Sequence, residues 1–113
     1  MVVYKIVATE EWTEAVAAGV FTGAAVDRAD GFIHFSTAEQ APETAAKWFA
    51  DRDDLTLAAI DAEALGGALR WEPSRGGALF PHLYSPLPMS AVVWSRALRL
   101  GPDGAHIFGS LEP

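Results

Sequence analysis

The chain carries at residues 30–37 the stretch Asp30-Gly31-Phe32-Ile33-His34-Phe35-Ser36-Thr37, in which a strand pattern gives way to a helix pattern. Side chains alternate between the two faces of a strand, so Phe32, His34 and Ser36 share one face while Ile33 and Phe35 share the other. An imidazole and a hydroxyl therefore point to the same side, where the strand meets the following helix. This junction is where we expect a site.

The helix that follows has a recognisable beginning. Ser36 or Thr37 can act as the N-cap residue, with Glu39 or Gln40 at capping-box spacing, and the apolar positions that follow predict a helix over about 39–50. Free N–H groups and hydroxyls at a helix start can also bind a phosphate or a carboxylate. Capping alone explains the hydroxyls equally well.

The chain before this junction reads as a strand, a helix and a loop. Val2–Val7 is rich in β-branched residues and predicts a strand, and Thr9 can cap a helix over about 10–18 that Gly19 ends in the left-handed conformation. The glycines and aspartates of 21–31 favour a polar loop.

The sequence pattern after this helix predicts mainly strands. Residues 55–60 form an apolar run typical of a buried strand, and 69–72 fits an edge strand. Two glycines and three prolines within 76–88 favour a structured loop over a ladder strand. A strand at 92–100 and a turn at 101–104 predict a terminal hairpin through 106–108. We therefore expect a single α+β domain over residues 1–113, with two main helices and mixed, mostly antiparallel sheets.

Composition excludes several classes of protein. The formal net charge is −7 and no basic block occurs, so we expect no nucleic-acid partner. Cysteine is absent, which excludes disulfides, thiolate metal sites and cysteine nucleophiles. No apolar run approaches the roughly 18 residues of a membrane span, and the first residues do not form a signal peptide. We expect a cytoplasmic protein without a membrane partner; the oligomeric state stays open.

A second segment, residues 71–84, gathers reactive side chains downstream. Glu72 can serve as an acid or base or as a ribose ligand, or can simply pair with Arg75, whose guanidinium suits an anionic group. His82 and Tyr84 lie among prolines that hold the backbone in place. We expect this segment to face His34 across a cleft, in which a small-molecule ligand binds.

The chemistry of these residues leaves alternatives open. His34 and His82 can each be a general base, a contact to ribose or phosphate, or an ordinary structural histidine. We expect no metal, because no two histidines have the helical spacing of ligands and none of the recognised zinc signatures is present. The nucleophile elbow of hydrolases, the P-loop and the dinucleotide-binding glycine pattern are all missing as well.

Long motifs carry a family resemblance over nearly the whole chain. They are Tyr4-Lys5-Ile6, Trp12, the stretch at 30–37, Gln40, Trp71-Glu72, Ser74-Arg75-Gly76-Gly77 and Phe80-Pro81-His82-Leu83-Tyr84. In these motifs the chain resembles the DUF952 family of uncharacterised proteins. That family in turn resembles the ADP-ribosyltransferases in fold, which bind NAD in a cleft between two small mixed sheets.

The resemblance implies roles for individual residues. His34, Ser36 and Thr37 fall on the second transferase motif, Lys5 near the first, and His82 or Tyr84 near the third. Tyr4 is a further expected ligand contact. The glutamate of that third motif is not evident here, although Glu72 can approach from elsewhere.

Two hypotheses follow from these assignments. The first is an enzyme acting on NAD, ADP-ribose or a phosphorylated nucleoside, with NAD as substrate or ligand. The second is a non-catalytic ligand-sensing or protein-interaction module that keeps the pocket. The enzyme hypothesis requires His34 and His82 to face one ligand, and a separation beyond roughly 15 Å would exclude it.

Overall fold

The computed structural model describes residues 1–111, except for the side chain of Arg75. These residues form nine strands and three α-helices, and the helices all lie in the first half of the chain. In chain order they are β1 (Val2–Ala8), α1 (Thr9–Ala18), β2 (Val20–Phe21), α2 (Ala25–Asp30), β3 (Ile33–His34), α3 (Ala41–Trp48), β4 (Leu55–Asp61), β5 (Leu69–Pro73), β6 (Leu79–Leu83), β7 (Leu87–Pro88), β8 (Val92–Leu100) and β9 (His106–Ile107). Short 3-10 helices occupy Glu63–Ala68, Arg75–Gly77 and Met89–Ala91. No helix among the described residues is long and apolar enough to cross a membrane.

The strands form three antiparallel sheets. The largest has the order β1-β4-β8-β9, a second has the order β3-β6-β5, and β2 pairs with β7. A bridge between Tyr4 and Ser36 joins the edge strand β1 to the chain just after β3. The expected single α+β domain with mostly antiparallel sheets is confirmed. The pairs between the described strands are all antiparallel, however, where we expected a mixed arrangement.

Strand β4 of the large sheet is buried on both faces because apolar residues occupy both sets of its alternating positions. Ala58 and Ile60 of β4 face one apolar cluster, and Leu55, Leu57 and Ala59 face another. Ile33 and Phe35 pack into the first cluster, as the alternation around β3 predicts. Their neighbours on the other face, His34 and Ser36, are thereby directed away from that cluster.

The two longer helices lie close to their predicted positions. Gly19 ends α1 at φ 81°, as expected, whereas the predicted cap by Thr9 is wrong, because the Thr9 hydroxyl is bonded to Thr56 at 2.8 Å. Thr37 and Gln40 make the predicted reciprocal bonds, each backbone N–H donating to the other's side-chain oxygen at 3.1 and 3.2 Å. These bonds close a turn just before α3, whose regular part begins at Ala41.

The prediction of a polar loop over 21–31 is wrong, since this segment begins with the end of β2 and holds α2. Six residues are too few to show a helical apolar period, and their aspartates and glycines look like turn residues. The helix forms because the Asp27 carboxylate accepts the Ala24 N–H at 2.8 Å and Gly31 ends it at φ 85°. The capped helix fixes the position of Asp27.

The prediction that the segment after Gly76-Gly77 is a loop is also wrong, because residues 79–83 form β6, the central strand of its sheet. Pro81 misled the prediction, since proline cannot donate a ladder hydrogen bond. Its carbonyl accepts the Phe35 N–H at 3.0 Å, and β3 ends at His34. The position at which Pro81 lacks an N–H group therefore lies just beyond the end of the β3–β6 pairing. The edge strand β5 and the terminal hairpin of β8 and β9 are confirmed.

Candidate functional site

A cavity of about 470 Å³ lies between the two larger sheets and is also lined by residues of α2 and α3. Its size is typical of pockets for small molecules. The lining residues are Tyr4, Lys5, Ile6, Val26, Asp30, His34, Phe35, Ser36, Thr44, Trp48, Phe49, Ser74, Phe80 and His82. One end is therefore polar and carries both histidines, while the rest is mainly aromatic and aliphatic.

His34 stands between two carboxylates at the polar end. Its Nδ1 lies 2.6 Å from Asp27 Oδ1, its backbone N–H donates to the same oxygen at 3.1 Å, and its Nε2 lies 2.9 Å from Asp30 Oδ2. Asp27 is buried, whereas the Asp30 side chain is 49% exposed. The inner carboxylate thus fixes the ring, and the outer one is free to exchange with solvent or a ligand.

Asp27 is the centre of this network, because it accepts hydrogen bonds from three different parts of the fold. Lys5 Nζ of β1 lies 3.1 Å from each of its oxygens, and the remaining donors are the Ala24 N–H and His34. Burial by itself would raise the pKa of Asp27, but the hydrogen bond from His34 and the charge of Lys5 outweigh it and hold that pKa well below its ordinary value. Asp27 is therefore ionised and can only accept, so His34 carries a hydrogen on Nδ1.

Lys5 is buried beneath the polar end of the cavity. Burial lowers the pKa of its ammonium group, and the nearby Asp27 carboxylate offsets part of that effect. A buried amine that keeps a carboxylate as its partner satisfies the usual rule for buried charges. Lys5 therefore contributes mainly by holding Asp27.

His82 occupies the corresponding position on β6 and has its own carboxylate. Its Nδ1 lies 2.8 Å from Glu72 Oε1, and the Tyr84 hydroxyl donates to the same oxygen at 2.7 Å. The bonds from Tyr84 and His82 lower the pKa of Glu72, and the bond to Glu72 raises the pKa of Tyr84. Glu72 thus orients both side chains, and the Nε2 atom on the far side of the His82 ring is left for a ligand.

The two histidines face each other across the β3–β6 pair. They are register partners, and their ring centroids are 5.6 Å apart, far inside the 15 Å limit set above. Phe32 stacks on His82 at 4.0 Å and lies 4.6 Å from the His34 ring and 5.3 Å from Tyr84. An aromatic cluster thereby holds both imidazoles in one place.

The other residues predicted for the site are placed as follows. Tyr4 and Ser36 line the cavity, and the Ser36 hydroxyl lies 3.0 Å from that of Thr44 on α3. Thr37 does not line it and instead completes the turn with Gln40. Tyr84 lies beside a separate cavity of about 210 Å³.

The side chain of Arg75 lies outside the described part of the structure, so its predicted pairing with Glu72 and its role as an anion clamp stay predictions.

Sequence reasoning missed Asp27 and Asp30 as members of the site. The spacing of Asp30 and His34, four residues apart, was a visible signal, but no local pattern links Asp27 to Lys5, 22 residues earlier. Within residues 1–111, no group of three or more histidine, aspartate or glutamate side chains is arranged to hold a metal ion.

The buried carboxylate makes the fold sensitive to acid. Because the pKa of Asp27 is lower in the folded than in the unfolded chain, its ionised form stabilises the fold above about pH 4, and this stabilisation is lost as the pH falls further. We expect the free energy of unfolding, measured by urea titration, to decrease below about pH 4. The decrease should persist in 0.5 M NaCl, which screens exposed pairs such as Arg52–Asp54. A decrease that high salt abolished would instead assign it to the surface.

Fold and site together define an α+β protein with a histidine-lined cleft between two antiparallel sheets. Residues 6–95 match the model of the family described as "Protein of unknown function (DUF952)", and the chain belongs to that family.

Solved structures of one relative are similar over nearly the whole chain. In its crystal structure, protein CC0527 of Caulobacter crescentus is 54% identical, with 95% of this chain and 94% of that chain covered and a TM-score of 0.90. Its solution NMR structure gives 56% identity, 92% and 90% coverage and a TM-score of 0.83. A search of curated proteins finds no significant match.

Proposed function

We propose that this protein binds a nucleotide-sized compound, such as NAD, ADP-ribose or a phosphorylated nucleoside, and performs acid–base chemistry on it. The observation that carries the proposal is the pairing of His34 and His82, 5.6 Å apart at the polar end of the cavity. Each ring has Nδ1 beside a carboxylate; Nε2 of His82 is then the atom that meets a ligand, and Nε2 of His34 can do so once Asp30 moves away from it. Imidazole is the side chain best suited to proton transfer near neutral pH.

Two such rings can divide the work of a hydrolysis or group transfer. One neutral imidazole accepts the proton of the attacking water or hydroxyl, and the other, as imidazolium, donates a proton to the leaving oxygen. His34 suits the first role, because ionised Asp27 fixes its Nδ1 hydrogen and stabilises the charge that the ring acquires. Asp30, half exposed, has to move from Nε2 before a ligand can use that atom.

The position of the cavity supports a compound of the NAD or ADP-ribose type. Its lining comes from two sheets, and the ADP-ribosyltransferases, whose fold we expect the DUF952 family to resemble, bind NAD between two sheets. The third-motif glutamate of those transferases is not evident in this sequence. Glu72, which bonds His82 and Tyr84 from the neighbouring strand, is the carboxylate that we propose in its place.

A non-catalytic ligand sensor is the second candidate. It is favoured by the contacts at both nitrogens of His34 and by the pairing of Lys5, which leave the inner part of the site bonded to itself. In a sensor the cleft would recognise the same compounds, and displacement of Asp30 would report that the ligand is bound.

A thermal-shift series followed by a product assay tests the proposal. Millimolar NAD, ADP-ribose and AMP are compared with buffer, and a ligand at 100 times its Kd should add about 2.7 kcal/mol of stability, roughly ten degrees or more in Tm for a domain of this size. Chromatography of the stabilising compound after incubation then separates enzyme from sensor. Product formation supports the enzyme, an unchanged ligand supports the sensor, and no shift with any compound overturns both.

A further inference from the structure

The cavity lining includes an exposed aromatic side chain at the end of α3. Trp48, the last residue of α3, lines the cavity although 63% of its surface is exposed, and Phe49 follows it in the lining. Val26 of α2 is also exposed while lining the cavity. Large apolar side chains left in water at the rim of a pocket mark a contact surface for a ligand.

The elements that line the cavity connect the histidines to Trp48 in short steps. His34 and Ser36 are two residues apart on one face of the chain, which corresponds to about 7 Å. The Ser36 and Thr44 hydroxyls are 3.0 Å apart, and Thr44 and Trp48 are one turn of α3 apart, about 6 Å between their Cβ atoms. An imidazole, a pair of hydroxyls and an indole are therefore connected, each to the next, along the lining of one cavity.

We propose that the ligand is a nucleoside-type compound whose planar ring stacks on Trp48. Its hydroxyl-bearing sugar then faces Ser36 and Thr44, and its head group reaches His34 and His82. The order of the lining residues matches the order of these three parts. This inference rests on the proposed function, since it names the substrate class of the same cleft, but the stacking contact is separate from the proton-transfer residues.

Trp71 supplies a matched control for this contact. It is a second partly exposed tryptophan, it lies on the edge strand β5, and it does not line the cavity. Its replacement by alanine removes an indole of the same size from a surface that the ligand does not touch. Any general effect of losing a surface tryptophan appears in both variants.

Titration calorimetry with AMP and with ribose 5-phosphate tests the stacking. In the unchanged protein, AMP should bind at least about tenfold more tightly than ribose 5-phosphate, which lacks the planar ring. Trp48→Ala should weaken AMP binding by about tenfold to a hundredfold, the range of one base stacked on an aromatic side chain. Trp48→Phe should retain most of the affinity, and Trp71→Ala all of it. Ribose 5-phosphate should bind equally to all four proteins.

The outcomes separate this inference from the proposed chemistry. Equal binding of AMP and ribose 5-phosphate, an unchanged AMP affinity in Trp48→Ala, or no AMP binding at 10 mM would each overturn the nucleoside assignment. AMP binding that depends on Trp48 without any turnover of the compounds tested supports the assignment and counts against catalysis. If a ligand is turned over but binds Trp48→Ala as tightly as the unchanged protein, the proton-transfer proposal is supported and the stacking proposal is overturned.

Discussion

Asp27→Ala is expected to lower the free energy of unfolding by about 3–5 kcal/mol, the usual cost of removing one partner of a buried ion pair. The loss is large because Lys5 Nζ, itself buried, then has no carboxylate within the network, and the Ala24 and His34 N–H groups lose their acceptor. Urea unfolding followed by circular dichroism at pH 7 measures it. A domain of ordinary stability would be close to unfolding after such a loss.

Asp30 and Lys5 provide the controls for this prediction. Asp30→Asn removes a charge from the same histidine at a half-exposed position, so it should cost less than about 1 kcal/mol. Combining Asp27→Asn with Lys5→Met removes both charges and should be less destabilising than Asp27→Asn alone. An Asp27→Ala variant within about 1 kcal/mol of the unchanged protein would show that the network does not hold the fold together.

The strands of the large sheet could be predicted because their signal is local. The apolar run at 55–60 and the β-branched residues at 2–7 predict buried strands, and the structure has both as mostly buried strands of the large sheet. The alternation around His34 likewise indicates which side chains face the core. These features need no partner from elsewhere in the chain to be recognised.

The elements that sequence reasoning missed depend on distant partners. Helix α2 is stabilised by the Asp27 carboxylate, which caps its first turn and binds Lys5 of β1. No residue pattern within 21–31 predicts that ion pair. Strand β6 accommodates Pro81 only because β3 stops opposite it. Both histidines of the site could be named from their surroundings, whereas the residue that orients His34 could not, since its role arises from tertiary contact.

His82→Asn is expected to reduce turnover of the compound identified by the thermal-shift series by about 10²- to 10⁴-fold, the usual contribution of a positioned acid or base. Asparagine places an N–H donor near the position of Nδ1, so the bond to Glu72 can persist, but it has nothing in place of Nε2. The affinity for the ligand should change much less than the turnover rate, because the variant removes proton transfer and keeps the shape of the site.

His106→Asn is the matched control, since His106 lies on β9, bonds the Arg52 carbonyl at 2.7 Å and does not line the cavity. The turnover rate of the His106→Asn variant should stay within about twofold of that of the unchanged protein. If His34 and His82 act as one acid–base pair, the double variant with both replaced by asparagine should be hardly slower than either single one, because residues that work as a unit are not additive. A folded His82→Asn variant that keeps full turnover would contradict the pair, whereas one that loses affinity by the same factor as turnover would point to a binding contact.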